Sequence, residues 1–268
     1  MAATVAWISI APVKGMRLEQ LSQVELTRQG AVGDREFFLV DRKGSMISVT
    51  RPGPLVEIVA DHDRDRGSLA LRFPDDRVVS GPVETGPPEP VRFYGLAVEA
   101  RPVRGDFSGA ISDHCGTGLR LMERPENRPA VDRGSIAGVT VLGAGSLGRL
   151  ESAAGEAGEA GPIDPRRFRM NFGVDGIGPH EEDDWIERSV ALGEAEIRVH
   201  DRVGRCAATT RDPDRGEVDL KTLHHIRSYR DDVVSDEPLP FGVYASVARP
   251  GLVRLGDPVV PVDRDDRL

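Results

Sequence analysis

The stretch Val203-Gly204-Arg205-Cys206-Ala207-Ala208-Thr209-Thr210 places a single thiol between an arginine and a run of small residues. Before it, residues 195–200 alternate apolar and polar side chains, as a half-buried β-strand does. Behind it, residues 211–217 read Arg-Asp-Pro-Asp-Arg-Gly-Glu, with proline and glycine where a tight turn favours them. We therefore expect Cys206 just past a strand end, in a segment held on both sides.

Two interpretations of Cys206 remain open on this pattern alone. Arg205 beside it favours the thiolate, which is the form that binds metals or attacks sulfur. A neutral cysteine is instead a small apolar side chain that could fill the interior of a barrel. The other cysteine, Cys115, has a structural explanation, because it shares the apolar face of a predicted helix over residues 107–121.

Outward from this stretch, short apolar runs alternate with Gly, Pro and Asp at spacings of about ten to twenty residues. This rhythm predicts a mainly β protein with short helices, a sandwich or barrel rather than alternating βαβ units. Predicted strands cover residues 4–10, 36–40, 46–50, 54–60, 69–73, 91–100, 139–142, 168–174, 193–200, 244–247 and 258–260. Residues 146–157 are predicted as a short helix, and residues 220–230 as a helix or an extended arm.

Composition limits the classes of protein. A chain of 268 residues can form one large or two modest domains. Its net charge of −9 argues against generic binding to nucleic acid or an anionic membrane. Two cysteines provide no disulfide framework, which fits a reducing compartment. Because no apolar run approaches the length of a membrane span, we expect a cytoplasmic protein with no membrane contact.

Gly143-Ala144-Gly145-Ser146-Leu147-Gly148 matches the glycine fingerprint of dinucleotide-binding proteins and follows a predicted strand. That fingerprint requires a helix, a second parallel strand and an acidic residue about 20 residues further on. At this distance the chain has a proline-bracketed loop around Asp164, and the next predicted strand begins too late for the usual unit. We therefore expect these glycines to form a strand-to-helix turn rather than a nucleotide site.

Several short motifs follow one another in a specific order. They are Pro12-Val13-Lys14-Gly15, Gly33-Asp34-Arg35-Glu36-Phe37, Arg167-Phe168-Arg169-Met170-Asn171, Glu181-Glu182-Asp183-Asp184-Trp185, the Cys206 stretch, residues 223–230, Pro240-Phe241-Gly242-Val243-Tyr244 and Leu255-Gly256-Asp257-Pro258-Val259. This order resembles the MOSC-domain family, named for the C-terminal domain of molybdenum-cofactor sulfurases. Within it, the chain is most similar to the branch of amidoxime-reducing components and YcbX-like proteins. The resemblance covers nearly the whole chain.

The resemblance implies a fold of two parts. An N-terminal β-barrel-like domain would cover residues 1–122, and a MOSC β-barrel would cover residues 123–268. In this family the first strands are able to pack with the second domain, so the boundary is approximate.

The resemblance also implies a cofactor and its site. The cofactor is the molybdenum cofactor, in which molybdopterin carries molybdenum, and Cys206 is the metal ligand and the catalytic residue. A soft thiolate suits such a metal, and arginine and lysine suit the phosphate of the pterin. The matching cofactor-binding residues are Lys14, Gly15, Arg35, Ser135, Arg169, Asn171, Gly204, Arg205 and Tyr244. The acidic turn at Glu182 and Asp184, before Trp185, is interpreted as structural.

The chain departs from the family pattern at several positions. Gly204 stands where the branch often has serine before the Arg-Cys pair, which removes one hydroxyl near the metal. Met170 replaces a usual proline, and the loop before Val139 offers Ser135 alone as a contact. Because no cysteine follows Cys206, we expect no iron–sulfur cluster on this chain.

The implied function is reduction of small N-hydroxylated substrates such as amidoximes and hydroxylamines by removal of oxygen. The electrons would come from a separate protein of the ferredoxin or flavin-reductase type. A carrier of the cofactor, or a sulfur relay that uses Cys206 as a persulfide, is the alternative. The chain lacks a lysine motif for pyridoxal phosphate, so we expect a pyridoxal phosphate-independent protein and not a complete sulfurase. A β-barrel that binds another small anion is a further alternative.

Overall fold

A computed structural model describes residues 2–93, 96–125 and 137–262 of the chain. The strands are β1 (Thr4–Ile10), β2 (Glu19–Leu21), β3 (Gln23–Thr27), β4 (Gly30–Ala31), β5 (Phe37–Asp41), β6 (Met46–Ile47), β7 (Val59–Asp63), β8 (Ser68–Arg72), β9 (Val78–Pro82), β10 (Glu89–Phe93), β11 (Leu96–Pro102), β12 (Leu119–Glu123), β13 (Val139–Gly143), β14 (Phe172–Asp175), β15 (Ser189–Leu192), β16 (Ala195–Gly204), β17 (Pro240–Arg249), β18 (Gly251–Arg254) and β19 (Val259–Val262). The helices are α1 (Phe107–Cys115), α2 (Ala144–Glu156) and α3 (Thr222–Arg230). Short 3₁₀ turns cover Gly53–Glu57, Pro165–Phe168, Glu181–Trp185 and Ala207–Thr210.

The largest sheet has eight strands in the order β19-β15-β16-β17-β13-β14-β1-β2. Its β1 comes from the start of the chain and pairs antiparallel with β14, with Ile8 opposite Phe172. Both side chains are fully buried in one apolar core, and burying each contributes about 1.5–3 kcal/mol. The first strand of the chain is therefore part of the sheet that carries Cys206.

The smaller sheets lie mainly in the first half of the chain. One has five strands in the order β10-β11-β12-β5-β6, and two have three strands, β18-β3-β4 and β7-β8-β9. A second core lies among them, built around Phe37, Leu55, Leu71 and Ile111. The prediction of a mainly β fold with short helices is confirmed. Among the described residues, no helix combines the length and apolar character needed to cross a membrane.

One βαβ unit occurs within the mainly β fold. The strands β13 and β14 run parallel, with Val141 opposite Phe172, and α2 connects them. The crossover is long because a loop and the turn Pro165–Phe168 follow the helix before β14 begins. A parallel second strand is therefore present, and it begins 16 residues after the end of α2, later than in the usual dinucleotide-binding unit.

The N-terminus of α2 is nevertheless closed by protein. The buried carboxylate of Glu182 accepts hydrogen bonds from Ser146 Oγ at 2.7 and 2.8 Å, and burial raises its pKa. A Cβ on Gly145 would lie 2.5 Å from the carbonyl oxygen of Ile177. These glycines allow the loop that follows β14 to pack on the helix, so Glu182 lies where a dinucleotide fingerprint would hold a phosphate.

Three helices or strands have bounds in the structure that differ from the bounds predicted from the sequence. The helix predicted over residues 107–121 ends at Cys115, because Gly116 adopts φ 62° and closes it with a left-handed turn. The strand predicted from residue 54 starts with the 3₁₀ turn Gly53–Glu57. The strand predicted from residue 168 begins at Phe172, since Arg169 has a left-handed backbone with φ 53°.

Candidate active site

A cavity of about 470 Å³ opens beside Cys206 and joins both halves of the chain. The described residues that line it come from distant parts of the sequence. They are Lys14, Gly15, Arg35, Ser48, Val49, Thr140, Arg167, Phe168, Arg169, Met170, Val203, Gly204, Arg205, Cys206, Ala208, Thr209, Glu237 and Pro238. Seven of the predicted site residues are among them: Lys14, Gly15, Arg35, Arg169, Gly204, Arg205 and Cys206.

Cys206 lies where the sequence predicted it, just past the end of β16. Its backbone is extended, with φ −125° and ψ 178°, and the turn Ala207–Thr210 starts directly after it. The backbone N and Oγ1 of Thr209 both donate to the Cys206 carbonyl oxygen at 3.1 Å. The side chain is exposed, so the interpretation as an apolar filler of a barrel interior is wrong.

Cys115 has the opposite character. It is half-buried against the apolar core of the first half. Burial, with a smaller contribution from the charge of Glu57, raises the pKa of its thiol to about 11. Such a thiol stays protonated at neutral pH and is a poor ligand and nucleophile.

Two arginines form a charged part of the cavity wall. One guanidinium nitrogen of Arg35 donates to the carboxylate of Asp34, and the other donates to the Arg169 carbonyl at 2.8 Å. The guanidinium of Arg169 donates to the Met16 carbonyl at 2.6 Å. Burial, and secondarily the charge of Arg35, lower the pKa of Arg169 to about 9. Burial therefore makes the charged form of Arg169 less favourable in free energy, and a bound anion would reduce this penalty.

Both arginines occupy uncommon backbone conformations. Arg35 has φ 49° and Arg169 has φ 53°, in the left-handed region that residues other than glycine rarely adopt. The backbone N of Arg35 donates to the Ala11 carbonyl at 2.7 Å, which holds this conformation. Such strain tends to occur at functional sites, where the surrounding structure maintains it.

Arg205 is buried and directs its guanidinium at main-chain carbonyls. Its Nε donates to the Phe241 carbonyl at 2.8 Å, and Nη1 donates to the Phe168 carbonyl at 3.0 Å. Its Nη2 lies 2.8 Å from Sδ of Met170. In this position Arg205 joins the end of β16 to two other parts of the cavity wall and thereby positions Cys206.

Three predicted site residues are not among the described residues that line the cavity. Asn171 is buried away from the cavity lining, where its Oδ1 accepts from Thr140 and its Nδ2 donates to Asp34 at 2.9 Å. It supports the carboxylate that holds Arg35. Tyr244 lies on β17 with its ring 6.4 Å from that of His200, and it is not among the described lining residues. Ser135 lies outside the residues that the structure describes.

The turn after Cys206 is anchored on the first half of the chain. Arg211 donates to the Thr50 carbonyl at 2.8 Å and to the carbonyl of Gly216. A Cβ on Gly216 would lie 2.1 Å from the Gly53 carbonyl oxygen, so the two backbones touch. These contacts explain the glycine of the turn motif, and they hold the chain that follows Cys206, whereas β16 holds the chain before it.

Several residues that line the cavity have no recognisable signal in the sequence. Ser48 and Glu237 belong to no recognisable motif, and only the folded chain brings them to Cys206. Arg167 belongs to a motif, but its role was not foreseen. Its guanidinium makes a bidentate pair with Asp219 at 2.6 and 2.7 Å. Among the described residues, no group of three or more His, Cys, Asp or Glu side chains could hold a metal ion.

Comparison with known proteins agrees with this architecture. Residues 2–116 match the MOSC N-terminal beta barrel domain, and residues 134–260 match the MOSC domain. Mitochondrial amidoxime-reducing component 1 of Mus musculus is 29% identical over 283 residues, covering 96% of this chain and 81% of the mouse protein. The human protein of the same name is 27% identical over 289 residues, covering 96% of this chain and 82% of its own length.

A longer relative matches over part of its length. The molybdenum cofactor sulfurase of Oryza sativa is 27% identical over 254 residues, covering 83% of this chain and 30% of the rice protein. The two domain matches lie in the same order as the two halves of the structure, and they confirm the resemblance carried by the sequence motifs. The chain therefore belongs to the MOSC-domain family.

Proposed function

We propose that this protein holds the molybdenum cofactor in the cavity beside Cys206 and reduces small N-hydroxylated compounds such as amidoximes and hydroxylamines. One observation carries the proposal: an exposed thiol and a wall of arginines line the same cavity. The relatives named amidoxime-reducing components support it, because they match almost the whole chain.

The charged wall fits the phosphate of a pterin cofactor. The guanidinium of Arg35 donates to the main-chain carbonyl of Arg169, and Lys14 and Gly15 line the same cavity. Guanidinium groups pair with phosphate through two parallel hydrogen bonds, and lysine adds a compact charge. Burial, and secondarily the charge of Arg35, lower the pKa of Arg169, and an anion bound beside its guanidinium would offset both effects.

A single exposed thiol is sufficient for a metal whose other ligands belong to its cofactor. Cys206 supplies one soft sulfur, and the dithiolene sulfurs of a molybdopterin supply others. When bound, the cofactor contributes the redox chemistry that removes oxygen from an N–O bond. The chain itself orients the thiol through Arg205 and Thr209 and provides the cavity in which a substrate is held.

The proposed reaction also requires an electron donor. Two electrons for each turnover would come from a separate ferredoxin or flavin-reductase type protein. The division into domains at residues 122 and 123, the absence of membrane and nucleic-acid contacts and a cytoplasmic location stay predictions from the sequence.

An alternative function uses the same thiol. Because Cys206 is exposed, it could instead carry a persulfide, in a cofactor carrier or a sulfur relay. The match to a rice protein named molybdenum cofactor sulfurase favours keeping this candidate. A relay would take up labelled sulfur on Cys206 from a cysteine desulfurase, which a metal ligand need not do.

The test is to produce the protein in a host that makes molybdenum cofactor and to compare wild type, Cys206→Ala and Cys115→Ala. We expect near-stoichiometric molybdenum and reduction of benzamidoxime with a chemical or protein electron donor in wild type and Cys115→Ala. Cys206→Ala should lose reduction completely. A Cys206→Ala protein that still reduces benzamidoxime, or a folded wild type without molybdenum and pterin, would contradict the proposal.

A further inference from the structure

A second cavity, of about 350 Å³, opens in the first half of the chain. It is lined by the turn between β3 and β4, the start of β5, the end of β7 with the residue after it, and the end of β12. Arg35 lines the cavity beside Cys206, whereas the next residue, Glu36, lines this one. The second cavity is therefore distinct from the proposed cofactor site, and the proposed function does not use it.

Arg124 follows β12 and borders the second cavity. Its Nε and Nη1 are buried, and neither atom has a hydrogen-bond acceptor among the described residues. The main chain at this position is fixed, because the backbone N of Arg124 donates to the Glu36 carbonyl at 2.8 Å. A buried donor without an acceptor destabilises the folded state, and the effect is larger in a charged group. Such departures from complete hydrogen bonding are expected at functional sites.

The charge of this guanidinium is only partly compensated by the protein. Burial lowers the pKa of Arg124, and the charge of Arg64 adds to this effect. The carboxylates of Glu36 and Asp34 act in the opposite direction, but they do not restore the usual arginine value. An anion in the second cavity would supply negative charge beside Arg124 and would favour its charged form.

Glu36, the nearby carboxylate, is already paired with other basic groups. Its Oε2 lies 2.5 Å from Nδ1 of His62, and its Oε1 lies 3.3 Å from Nη1 of Arg64. Burial acts to raise the pKa of Glu36, but the hydrogen bond with His62 and the charges of Arg64 and Arg124 hold it below the usual glutamate value. One carboxylate therefore serves several basic side chains and leaves the buried nitrogens of Arg124 without an acceptor.

The lining of the second cavity indicates which anion fits. A carboxylate pairs with a guanidinium through two parallel hydrogen bonds. The buried residues Ala31 and Phe37 also line the cavity and offer apolar contact to the rest of an organic acid. Because Glu36 and Glu123 border the cavity too, they repel a doubly charged phosphate more strongly than a single carboxylate. The volume lies within the range of small-molecule sites.

We propose that the second cavity is a binding site for a small organic monocarboxylate, which Arg124 recognises through its guanidinium. The site is independent of the molybdenum cofactor and of the proposed reductase function. It gives a physical reason for a buried arginine whose nitrogens have no acceptor among the described residues.

The test uses benzoate as the probe and benzamide, which has nearly the same shape but no charge, as the control ligand. Arg124→Met replaces the guanidinium with an uncharged side chain, and Arg92→Met removes an exposed arginine on β10 outside the lining. Arg169→Gln reports whether benzoate binds instead at the charged wall beside Cys206. Calorimetry measures binding to the full chain, and thermal unfolding measures its melting temperature with and without benzoate.

We expect wild type, Arg92→Met and Arg169→Gln to bind benzoate equally, and about tenfold more tightly than benzamide. Arg124→Met should weaken benzoate binding about tenfold or more and should lose the rise in melting temperature that benzoate causes. Without ligand, Arg124→Met should melt at the same temperature as wild type or higher, because it removes buried donors that have no acceptor. An arginine with a purely structural role would instead lower the melting temperature when it is replaced.

Three outcomes would overturn the inference. The first is that wild type binds no benzoate at millimolar concentration, and the second is that Arg124→Met binds it as well as wild type does. The third is a lower melting temperature of ligand-free Arg124→Met, which would mean that the protein itself satisfies this guanidinium. None of these results bears on the proposed reductase function, which molybdenum content and benzamidoxime reduction test separately.

Discussion

The guanidinium of Arg35 donates to the main-chain carbonyl of Arg169 at 2.8 Å, across 134 positions of sequence. This bond joins a turn in the first half of the chain to the turn that precedes β14. It brings two positive charges to one side of the cavity, where Asp34 neutralises part of the charge of Arg35. The cofactor site proposed here is therefore formed by both halves together.

We expect the charged wall to bind an inorganic anion before any cofactor is present. Phosphate should raise the melting temperature of the cofactor-free protein by binding its folded state. Arg169→Gln should weaken this binding about tenfold, because a charged hydrogen-bond donor is lost. Arg28→Gln, which removes an exposed arginine outside the cavity lining, is the control. Equal phosphate responses in Arg169→Gln and wild type would contradict an anion site at this wall.

We expect Arg205 to be a positioning residue that lysine cannot replace. Lysine has the charge but not the planar fork that reaches the Phe168 and Phe241 carbonyls together. Arg205→Lys should lower the free energy of unfolding by about 1–3 kcal/mol, since a buried carbonyl loses its donor. It should also lower molybdenum retention although Cys206 is intact. Denaturant unfolding and elemental analysis measure the two effects, and unchanged values in both would contradict the assigned role.

The contact between Gly216 and Gly53 should tolerate no side chain. Gly216 has φ 71°, and its added Cβ would collide with the Gly53 carbonyl. Gly216→Ala should therefore destabilise the protein by about 2–4 kcal/mol through strain and a displaced turn. The matched control is Gly148→Ala on α2, where an added Cβ meets nothing within 4 Å. That change should stabilise by up to about 1 kcal/mol. Similar melting temperatures for the two variants would show that the two halves do not touch here.

Glu182 should make stability depend on pH. Because burial raises its pKa in the folded state, the folded protein binds a proton that the unfolded chain releases at lower pH. The contribution of Glu182 to the free energy of unfolding is therefore greatest below the ordinary glutamate pKa. It is lost as the pH rises through the raised pKa of the folded state. Urea unfolding at acidic and neutral pH measures this dependence, and Glu182→Gln should make the fall in the free energy of unfolding smaller. An unaltered pH profile in Glu182→Gln would contradict the raised pKa.

Local sequence patterns predicted the parts of the site that depend on neighbours along the chain. The strand before Cys206, the turn after it and the mainly β fold follow from alternation, turn residues and the rhythm of short apolar runs. Lys14, Arg35 and Arg169 were assigned through the resemblance of their motifs to the MOSC-domain family. The structure brings these three residues and Cys206 to one cavity.

Features that depend on how segments far apart in the sequence pack together could not be predicted. Asn171 was placed at the cofactor from its motif, but its amide is used by Thr140 and Asp34 in the core. The parallel pairing of β13 with β14 was missed because the crossover contains a loop of irregular structure. Glu237 has no local signal, since its position follows from the volume that Gly204 leaves open.

The central claim is that Cys206 binds molybdenum inside the arginine-lined cavity. X-ray absorption at the molybdenum edge tests it most directly, on wild type and Cys206→Ser purified from a host that makes the cofactor. We predict that Cys206→Ser retains part of its molybdopterin through the basic wall but has one sulfur neighbour fewer at the metal. The same number of sulfur neighbours in both proteins would contradict the account.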